Sequence, residues 1–325
     1  MSRSVVLAYR ELPPDQLARL RAEHEVIQAD PFLPGQEAAF FEALGRASGM
    51  IGALYPVGAD LLARAPALRV VSSISVGVDA YDQEALAERD IVLCHTPRVL
   101  DETVADLLMG MVLAMGRRIH ELADHVRAGQ WDGNVGPALF GWDVHGKTLG
   151  VLGYGRIGHA VARRAALGFG MPVLYCARSP RDSGLPEGAA RQVPLPELLS
   201  ESDFLVVVLP LSGETRGLLG EAEFARMKPG AFLINGGRGA VLQEDALIRA
   251  LDEGKLRGAA LDVFATEPLP LDSPLRTHPK VLPLPHVGSA THETRHAMAE
   301  MATSNLLMAL RGETPLAAYP LRRRS

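Results

Sequence analysis

The chain has 325 residues, of which 47% are hydrophobic and 22% charged, and its formal net charge is −5. This charge argues against an overall basic surface for nucleic acid, and no apolar run approaches the ~18 residues of a membrane-spanning helix. Two cysteines, Cys94 and Cys176, are too few for a disulfide framework. Because the N-terminus also lacks the apolar core of a signal peptide, we expect a cytoplasmic protein without nucleic-acid or membrane partners.

Short apolar runs alternate with helical patterns through the first half of the chain. Predicted strands lie in SVVLAY (4–9), GMIGAL (49–54), LRVVSSIS (68–75) and DIVLCHT (90–96). Residues 101–118 carry apolar side chains at helical spacing, with acids first and arginines last, as the helix dipole favours. Residues 129–148 are rich in glycine and aromatics, so they are predicted to form a connecting loop.

The second half repeats the alternation. Its predicted strands are TLGVLG (148–153), PVLYC (172–176), DFLVVVLP (203–210), AFLING (231–236), GAALDVF (258–264) and KVLPLP (280–285). Such continuous apolar runs indicate parallel strands buried on both faces. A long amphipathic helix in 289–315 could return to the first half. We therefore predict an α/β protein of two Rossmann-like domains, each a parallel sheet flanked by helices: residues 1–99 with 288–325, and 100–287.

A glycine-rich turn opens the second half. Gly153, Gly155 and Gly158 form G-x-G-x-x-G between a predicted strand and the helical run RIGHAVARRAALGFG. In this context the first glycine makes a tight turn, the second lets the backbone approach a pyrophosphate, and the third allows helix and strand to pack closely. The motif therefore predicts a dinucleotide site at the start of this helix.

The acid that usually holds the NAD ribose is missing from this unit. About 20 residues after the glycines, where Asp or Glu is expected, the chain reads Ala177, Arg178, Ser179 and then Arg181. Arginine suits a 2′-phosphate, which a carboxylate would repel. We therefore favour NADPH as the cofactor, with NADH possible; the alternative is that these arginines are ordinary solvated loop charges.

Three further polar residues follow predicted strands, where open α/β sheets bind ligands. They are Arg238 in FLINGGRGAV, Glu267 in ALDVFATEPLP and His286 in VLPLPHVGSATHETR. Reduction of a 2-keto acid needs a cation for the carboxylate and ketone and a proton donor near neutral pH. Arg238 suits the first task and His286 the second, with Glu267 orienting the ring and supporting its charged form. The alternative for each residue is a surface ion pair or a cap.

Several of these motifs resemble one family. The glycine loop, NGGRG (235–239), LDVFATEP (261–268) and LPHVGSAT (284–291) are similar to successive motifs of the D-isomer-specific 2-hydroxyacid dehydrogenases. SISVGVDAYD and HTPRVLDETVAD extend the resemblance into the first half. It is closest to the 2-ketogluconate (2-ketoaldonate) and glyoxylate/hydroxypyruvate reductases, which usually prefer NADPH. In GRGAVLQEDAL the chain departs from the Pro-Val-Val-Asp that relatives often carry after the glycine.

The resemblance also implies roles for individual residues. Arg238 would bind the substrate, Glu267 would pair with His286 as acid and base, and Val76 and Gly77 would offer backbone N–H groups to the substrate carboxylate. The residues implied around the cofactor are Arg156, Ile157, Arg178, Thr215 and Asp262, the last near the nicotinamide. The expected activity is NADPH-dependent reduction of a 2-keto acid to the D-2-hydroxy acid, in a cleft between a substrate-binding domain (1–99 with 288–325) and a cofactor domain (100–287).

The same family members are typically homodimers joined through their cofactor domains. The helix from 101 and the aromatic residues Trp131, Phe140 and Trp142 are candidates for that contact, and a core role is the alternative for these aromatics.

Two other functions compete with a reductase. His292, Glu293 and His296 match the H-E-x-x-H zinc-protease motif, but a third ligand is hard to find in the short remaining tail, and we expect no metal. Corepressors with this architecture bind NAD(H) and use it to regulate partner binding, which makes a non-catalytic sensor the other alternative.

Overall fold

The computed structural model describes residues 3–179 and 182–321. The chain forms two compact units, Met1–Leu100 with Ala290–Ser325, and Asp101–Ser289. Each contains a parallel sheet flanked by helices, which confirms the predicted α/β class. In the described part of the chain no helix is both long and apolar enough to cross a membrane.

The first unit is built on a five-stranded sheet. Its strands are β1 (Val5–Ala8), β2 (Glu25–Gln28), β3 (Ala47–Gly52), β4 (Val70–Ser73) and β5 (Val92–Cys94), in the order β2-β1-β3-β4-β5. The intervening helices are α1 (Pro14–Glu23), α2 (Glu37–Leu44), α3 (Ala59–Ala63) and α4 (Gln83–Glu88). Strands β1 and β4 are buried along their whole length, as expected for inner strands of a parallel sheet.

The second unit contains a seven-stranded sheet. Its strands are β6 (Leu149–Leu152), β7 (Val173–Cys176), β8 (Ala190–Gln192), β9 (Phe204–Val207), β10 (Ala231–Asn235), β11 (Leu256–Leu261) and β12 (Val281–Pro283), in the order β12-β11-β10-β9-β6-β7-β8. Its helices are α5 (Asp101–Gly116), α6 (Ile119–Arg127), α7 (Arg156–Phe169), α8 (Leu195–Glu201), α9 (Glu221–Arg226) and α10 (Glu244–Asp252). All six pairings between these strands are parallel.

The last helix, α11 (His292–Leu310), belongs to the first unit. It packs on β3, β4 and β5, and its Leu306 lies so close to Gly49 that a Cβ there would be 2.8 Å from the leucine Cδ1. The Ser72 hydroxyl of β4 donates to Ala302 O at 2.7 Å. These contacts hold α11 against the sheet of the first unit.

The predicted helix over 101–118 corresponds to α5, which ends two residues earlier and is followed by a second helix. Helix α5 ends at Gly116, Arg118 adopts left-handed backbone with φ 53°, and α6 begins at Ile119. A left-handed residue cannot continue a right-handed helix, so the chain changes direction there. The predicted loop over 129–148 contains one short 3₁₀ turn, Pro137–Leu139.

Candidate active site

The predicted site residues of the second unit share one edge of its sheet. Because all strands are parallel, their carboxyl ends lie together, and this edge is where open α/β sheets bind ligands. Arg238 follows β10, Glu267 follows β11 and His286 follows β12, which are three neighbouring strands. The glycine loop follows β6 on the same edge.

The glycine loop has the shape that a dinucleotide requires. Gly153 has φ 103°, and a Cβ on Gly158 would lie 2.2 Å from Gly153 O, so neither position accepts a side chain without strain. A Cβ on Gly155 would meet nothing within 4 Å, which leaves open space at the N-terminus of α7. That end presents unpaired backbone N–H groups to an anion. These residues therefore fit the pyrophosphate of a dinucleotide.

Arg156 and Ile157 begin helix α7. Arg156 Nε donates to Asp101 Oδ2 at 2.9 Å, so its side chain is held against the start of α5 while remaining half exposed. The other oxygen of Asp101 is buried and has no hydrogen-bond partner among the described residues. Ile157 is half-buried. The prediction that both contribute to cofactor binding rests on their place in the loop.

The cationic residue after β7 is open to solvent. The side chain of Arg178 is 92% exposed, and its Nη1 lies 3.9 Å from Glu214 Oε2 in a weak ion pair. Ser179 contributes its carbonyl to a hydrogen bond with Gln192 Nε2 at 3.2 Å. Thr215 Oγ1 donates to Pro210 O at 2.7 Å, within the loop after β9. Arg181, also predicted at this site, lies outside the described residues.

A buried amide shapes the loop that carries Arg238. Asn235, fully buried at the end of β10, accepts from Gly237 N–H at 3.1 Å and donates to Arg238 O at 3.1 Å. The next residue, Gly239, touches the loop after β11, since a Cβ there would lie 1.8 Å from Phe264 C. The two loops are therefore in backbone contact, which places the half-buried Arg238 beside the segment leading to Glu267.

Glu267 and His286 form a direct pair. Glu267 Oε2 lies 2.6 Å from His286 Nδ1, and Glu267 Oε1 accepts from Phe264 N–H at 2.9 Å. Burial alone would raise the pKa of Glu267, but the hydrogen bonds from His286 and Phe264 and the charge of Arg238 outweigh it and lower that pKa. An ionised carboxylate can only accept, so Nδ1 carries a proton and Nε2 is the nitrogen left to face a substrate.

Asp262 fixes the backbone next to the histidine. It is 3% exposed and accepts from Val287 N–H at 2.7 Å and from Gly288 N–H at 2.8 Å. His286 itself adopts left-handed backbone with φ 55°, a strained state for a side chain of this size. Burial raises the pKa of Asp262 although both N–H groups and His286 oppose the shift. The family resemblance implies a position near the nicotinamide for Asp262, which stays a prediction, and this backbone role was not predicted.

Val76 and Gly77 belong to the first unit, where they follow β4. The Ser75 hydroxyl donates to Gly77 O at 2.6 Å, and Val76 O lies 3.1 Å from His95 Nδ1. Both residues are half-buried, and their carbonyls are fixed by these neighbours. The prediction that their N–H groups bind a carboxylate stays a prediction.

The zinc-protease motif lies on the exposed start of α11. His292, Glu293 and His296 are all exposed, and His296 Nε2 is 3.4 Å from Asp15 Oδ2. Among residues 3–179 and 182–321, no group of three or more His, Cys, Asp or Glu side chains is arranged to hold a metal ion. Within these described residues the motif therefore has no third ligand of the kind that a zinc site needs.

The aromatic residues of the 129–148 loop are largely on the surface. Trp131 is 63% and Phe140 55% exposed, so the alternative of a core role is wrong for these two. Trp142 and Phe232 meet in a T-shaped contact with 5.7 Å between ring centroids, and Arg257 Cζ lies over the Trp142 ring, 4.1 Å from its centroid. A planar cation over an indole is a favourable arrangement.

The sequence of this chain is similar to a family of dehydrogenases and to named reductases. The family described as D-isomer specific 2-hydroxyacid dehydrogenase, NAD binding domain, matches residues 109–288. Glyoxylate/hydroxypyruvate reductase B of Klebsiella pneumoniae (strain 342) is 50% identical over 96% of both chains. The enzyme of the same name from Pectobacterium carotovorum is 51% identical over 96% of both.

Solved structures of similar proteins share the fold of this chain. A protein from Thermus thermophilus superposes with a TM-score of 0.89 at 42% identity, covering 97% of this chain and all of that one. The NADPH-dependent glyoxylate/hydroxypyruvate reductase of Sinorhizobium meliloti, in complex with NADP and malonate, has a TM-score of 0.85 at 31% identity and covers both chains fully.

The fold, the glycine loop and these similarities together define an oxidoreductase with an NAD(P)-binding domain. The chain belongs to the D-isomer-specific 2-hydroxyacid dehydrogenase family.

Proposed function

We propose that the protein reduces a short 2-keto acid to the D-2-hydroxy acid with NADPH, and that glyoxylate and hydroxypyruvate are its preferred substrates. The observation that carries the proposal is the 2.6 Å contact between Glu267 and His286, beside the Arg238 loop and on the sheet edge that holds the glycine loop. The names of the relatives that are about 50% identical support this substrate class. 2-Ketogluconate is the third candidate.

In the proposed reaction the ketone carbon gains a hydride and the ketone oxygen gains a proton. The reduced nicotinamide supplies the hydride when it is bound. His286 Nε2 gives the proton, and Glu267 stabilises the imidazolium form before transfer and holds the ring in place. Arg238 binds the substrate carboxylate and polarises the ketone. The backbone N–H groups of Val76 and Gly77 are proposed to bind the same carboxylate.

The proposed cofactor preference rests on the residues after β7. Arg178, and beyond the described residues Arg181, replace the acid that selects NAD, and a guanidinium binds a phosphate with two parallel hydrogen bonds. The NADP-bound relative from Sinorhizobium meliloti supports the same preference. Arg156, Ile157, Ser179, Thr215 and Asp262 are proposed to complete the cofactor site.

A steady-state panel tests the proposal. Glyoxylate, hydroxypyruvate and 2-ketogluconate are each assayed with NADPH and with NADH. We expect kcat/KM to be highest with glyoxylate or hydroxypyruvate and at least about tenfold higher with NADPH, the effect of one charged contact. Tight cofactor binding without turnover of any keto acid would instead support a non-catalytic sensor.

We further propose a homodimer in which the exposed aromatic residues Trp131 and Phe140 contribute to the contact. Light scattering after size-exclusion chromatography gives the molar mass. Twice the 34.8 kDa of one chain is the expected result, and a monomer would contradict it.

A further inference from the structure

Tyr154, the residue between the first two glycines of the loop, contacts the segment after β7, whose described residues are 177–179 and 182–185. Tyr154 is 4% exposed, and its hydroxyl donates to Ser183 O at 2.8 Å. Its ring stacks on Tyr175, the third residue of β7, with 3.9 Å between ring centroids and 24° between planes. A single side chain therefore joins the glycine loop, strand β7 and the segment after it.

The Gln192 side chain contacts the part of this segment that lies nearest to β7 in the sequence. Gln192 lies in β8, and its Nε2 is 3.2 Å from Ala177 O and 3.2 Å from Ser179 O. An amide nitrogen has two hydrogens, so it can donate to both carbonyls at once. These carbonyls belong to the residues on either side of Arg178, and the contact therefore restricts the backbone at that position.

The backbone of this segment at Gly184 lies close to helix α7. Gly184 has φ +65°, and a Cβ there would be 2.8 Å from His159 Nε2. Its N–H donates to Asp182 Oδ1 at 3.0 Å, and Leu185 N–H donates to Ser183 Oγ at 3.2 Å. Residues 182–185 thus form a hydrogen-bonded turn, in which Ser183 is presented to Tyr154.

We propose that Tyr154 and Gln192 are positioning residues for cofactor selection. Gln192 holds the carbonyls of the two neighbours of Arg178, and Tyr154 holds Tyr175 before it and Ser183 after it. Together they keep the Arg178 guanidinium where the 2′-phosphate of NADPH arrives. This inference rests on the proposed NADPH preference. Because Arg178 is 92% exposed, its side chain receives little guidance from packing, and a fixed backbone reduces the ordering that binding must impose.

The Tyr154 hydroxyl is suited to this role at every working pH. Burial, together with the charges of Tyr175 and Asp182, raises the pKa of Tyr154 to about 12. The hydroxyl consequently keeps its proton and remains a donor to Ser183 O.

The test measures binding to the purified full-length protein by titration calorimetry with NADP⁺ and with NAD⁺. Tyr154→Phe keeps the stacked ring and removes only the hydroxyl, and Gln192→Leu removes the amide at similar size. We expect each change to raise the Kd for NADP⁺ about three- to tenfold, the worth of one hydrogen bond, with less than about twofold change for NAD⁺. The double variant should lose more NADP⁺ affinity than either single variant.

Tyr9→Phe is the matched control. Tyr9 is a buried tyrosine of the first unit whose hydroxyl lies 3.1 Å from that of Tyr81, so its loss tests the general effect of removing a buried hydroxyl. The ratio of the two Kd values should not change in this control. Amide hydrogen exchange adds a readout independent of cofactor, because Ser183–Leu185 should exchange faster in Tyr154→Phe than in Tyr9→Phe.

Arg178→Ala separates failure of this inference from failure of the proposed function. If Arg178→Ala abolishes the preference for NADP⁺ while Tyr154→Phe and Gln192→Leu retain it, the positioning role is wrong and the proposed preference stands. Equal weakening of both cofactors in the two variants would also overturn the inference, since it indicates a purely structural role. An unchanged ratio in Arg178→Ala would overturn the phosphate contact itself.

Discussion

Replacement of Asp262 by alanine should both destabilise the second unit and slow catalysis. The carboxylate accepts from the N–H groups of Val287 and Gly288, at 2.7 and 2.8 Å, in a site where it is 3% exposed. A buried donor left without a partner costs about 1–3 kcal/mol, so two cost about 2–6 kcal/mol. Removing a carboxylate whose pKa is raised by burial offsets part of this cost, and we expect a net loss of about 2–4 kcal/mol.

The catalytic effect follows from the conformation of His286. Its left-handed backbone, with φ 55°, is sustained by neighbours that include the Asp262 contacts, because such strain persists only where the surroundings enforce it. Without them the ring should leave the orientation that gives the 2.6 Å contact with Glu267. We expect kcat to fall by about 10²-fold or more, within the range for a misplaced acid–base group.

Urea denaturation followed by tryptophan fluorescence provides the assay. Both tryptophans, Trp131 and Trp142, are in the second unit, so the signal reports that unit. Asp252→Ala is the control, because Asp252 is 66% exposed and its contact with His278 is 3.3 Å. The control should stay within about 0.5 kcal/mol of the unchanged protein. If Asp262→Ala matched this control in unfolding free energy and retained its kcat, the assigned backbone role would be refuted.

Three other substitutions test the site. His286→Ala should lower kcat by about 10²- to 10⁴-fold while calorimetry shows little change in NADP⁺ affinity, and a parallel loss of affinity would contradict its role as proton donor. Glu267→Gln should lower kcat by about 10- to 100-fold, since it weakens a charge-assisted hydrogen bond. Because the pKa of Glu267 is lowered, its stabilising effect is present above the ordinary value of 4.5 and lost as the pH falls through the lowered value, so the Tm of the unchanged protein should fall more steeply in acid than that of Glu267→Gln. Arg178→Ala should weaken NADPH by about tenfold or more and NADH by less than about twofold, as measured by KM.

Apolar strands were predictable from sequence, including the edge strands β5 and β12, whereas the polar edge strands β2 and β8 were not. β6, β9 and β10 are continuous apolar runs, and each lies inside its predicted stretch. β2 and β8 lie at sheet edges, and their exposed, partly polar sequences, EVIQ and ARQ, lack that pattern. Such short polar strands form because their backbone groups hydrogen-bond to the neighbouring strand. That pairing leaves no pattern in the local sequence.

For the candidate site, the sequence predicted the residue types and the strands that they follow. Arg238, Glu267 and His286 each follow a strand, and the parallel order of those strands brings the last two into contact. Contacts that depend on folded loops were not predictable. Tyr154 meets Ser183 across 29 residues, and its position between two glycines shows only that a side chain is tolerated there. The contacts of Asp262 with the N–H groups of Val287 and Gly288 were likewise not predictable, because these partners lie 25 and 26 residues away.

Because α11 covers the first sheet but follows the second unit along the chain, synthesis completes the two units in reverse order. Residues 101–289 are contiguous, so the second unit can fold as soon as it has left the ribosome. The first hundred residues emerge earlier, yet the helix that packs against Gly49 is missing until all of residues 101–289 have been made. During that interval one apolar face of the early sheet is open to water, and a nascent chain in this state is a natural client for a chaperone.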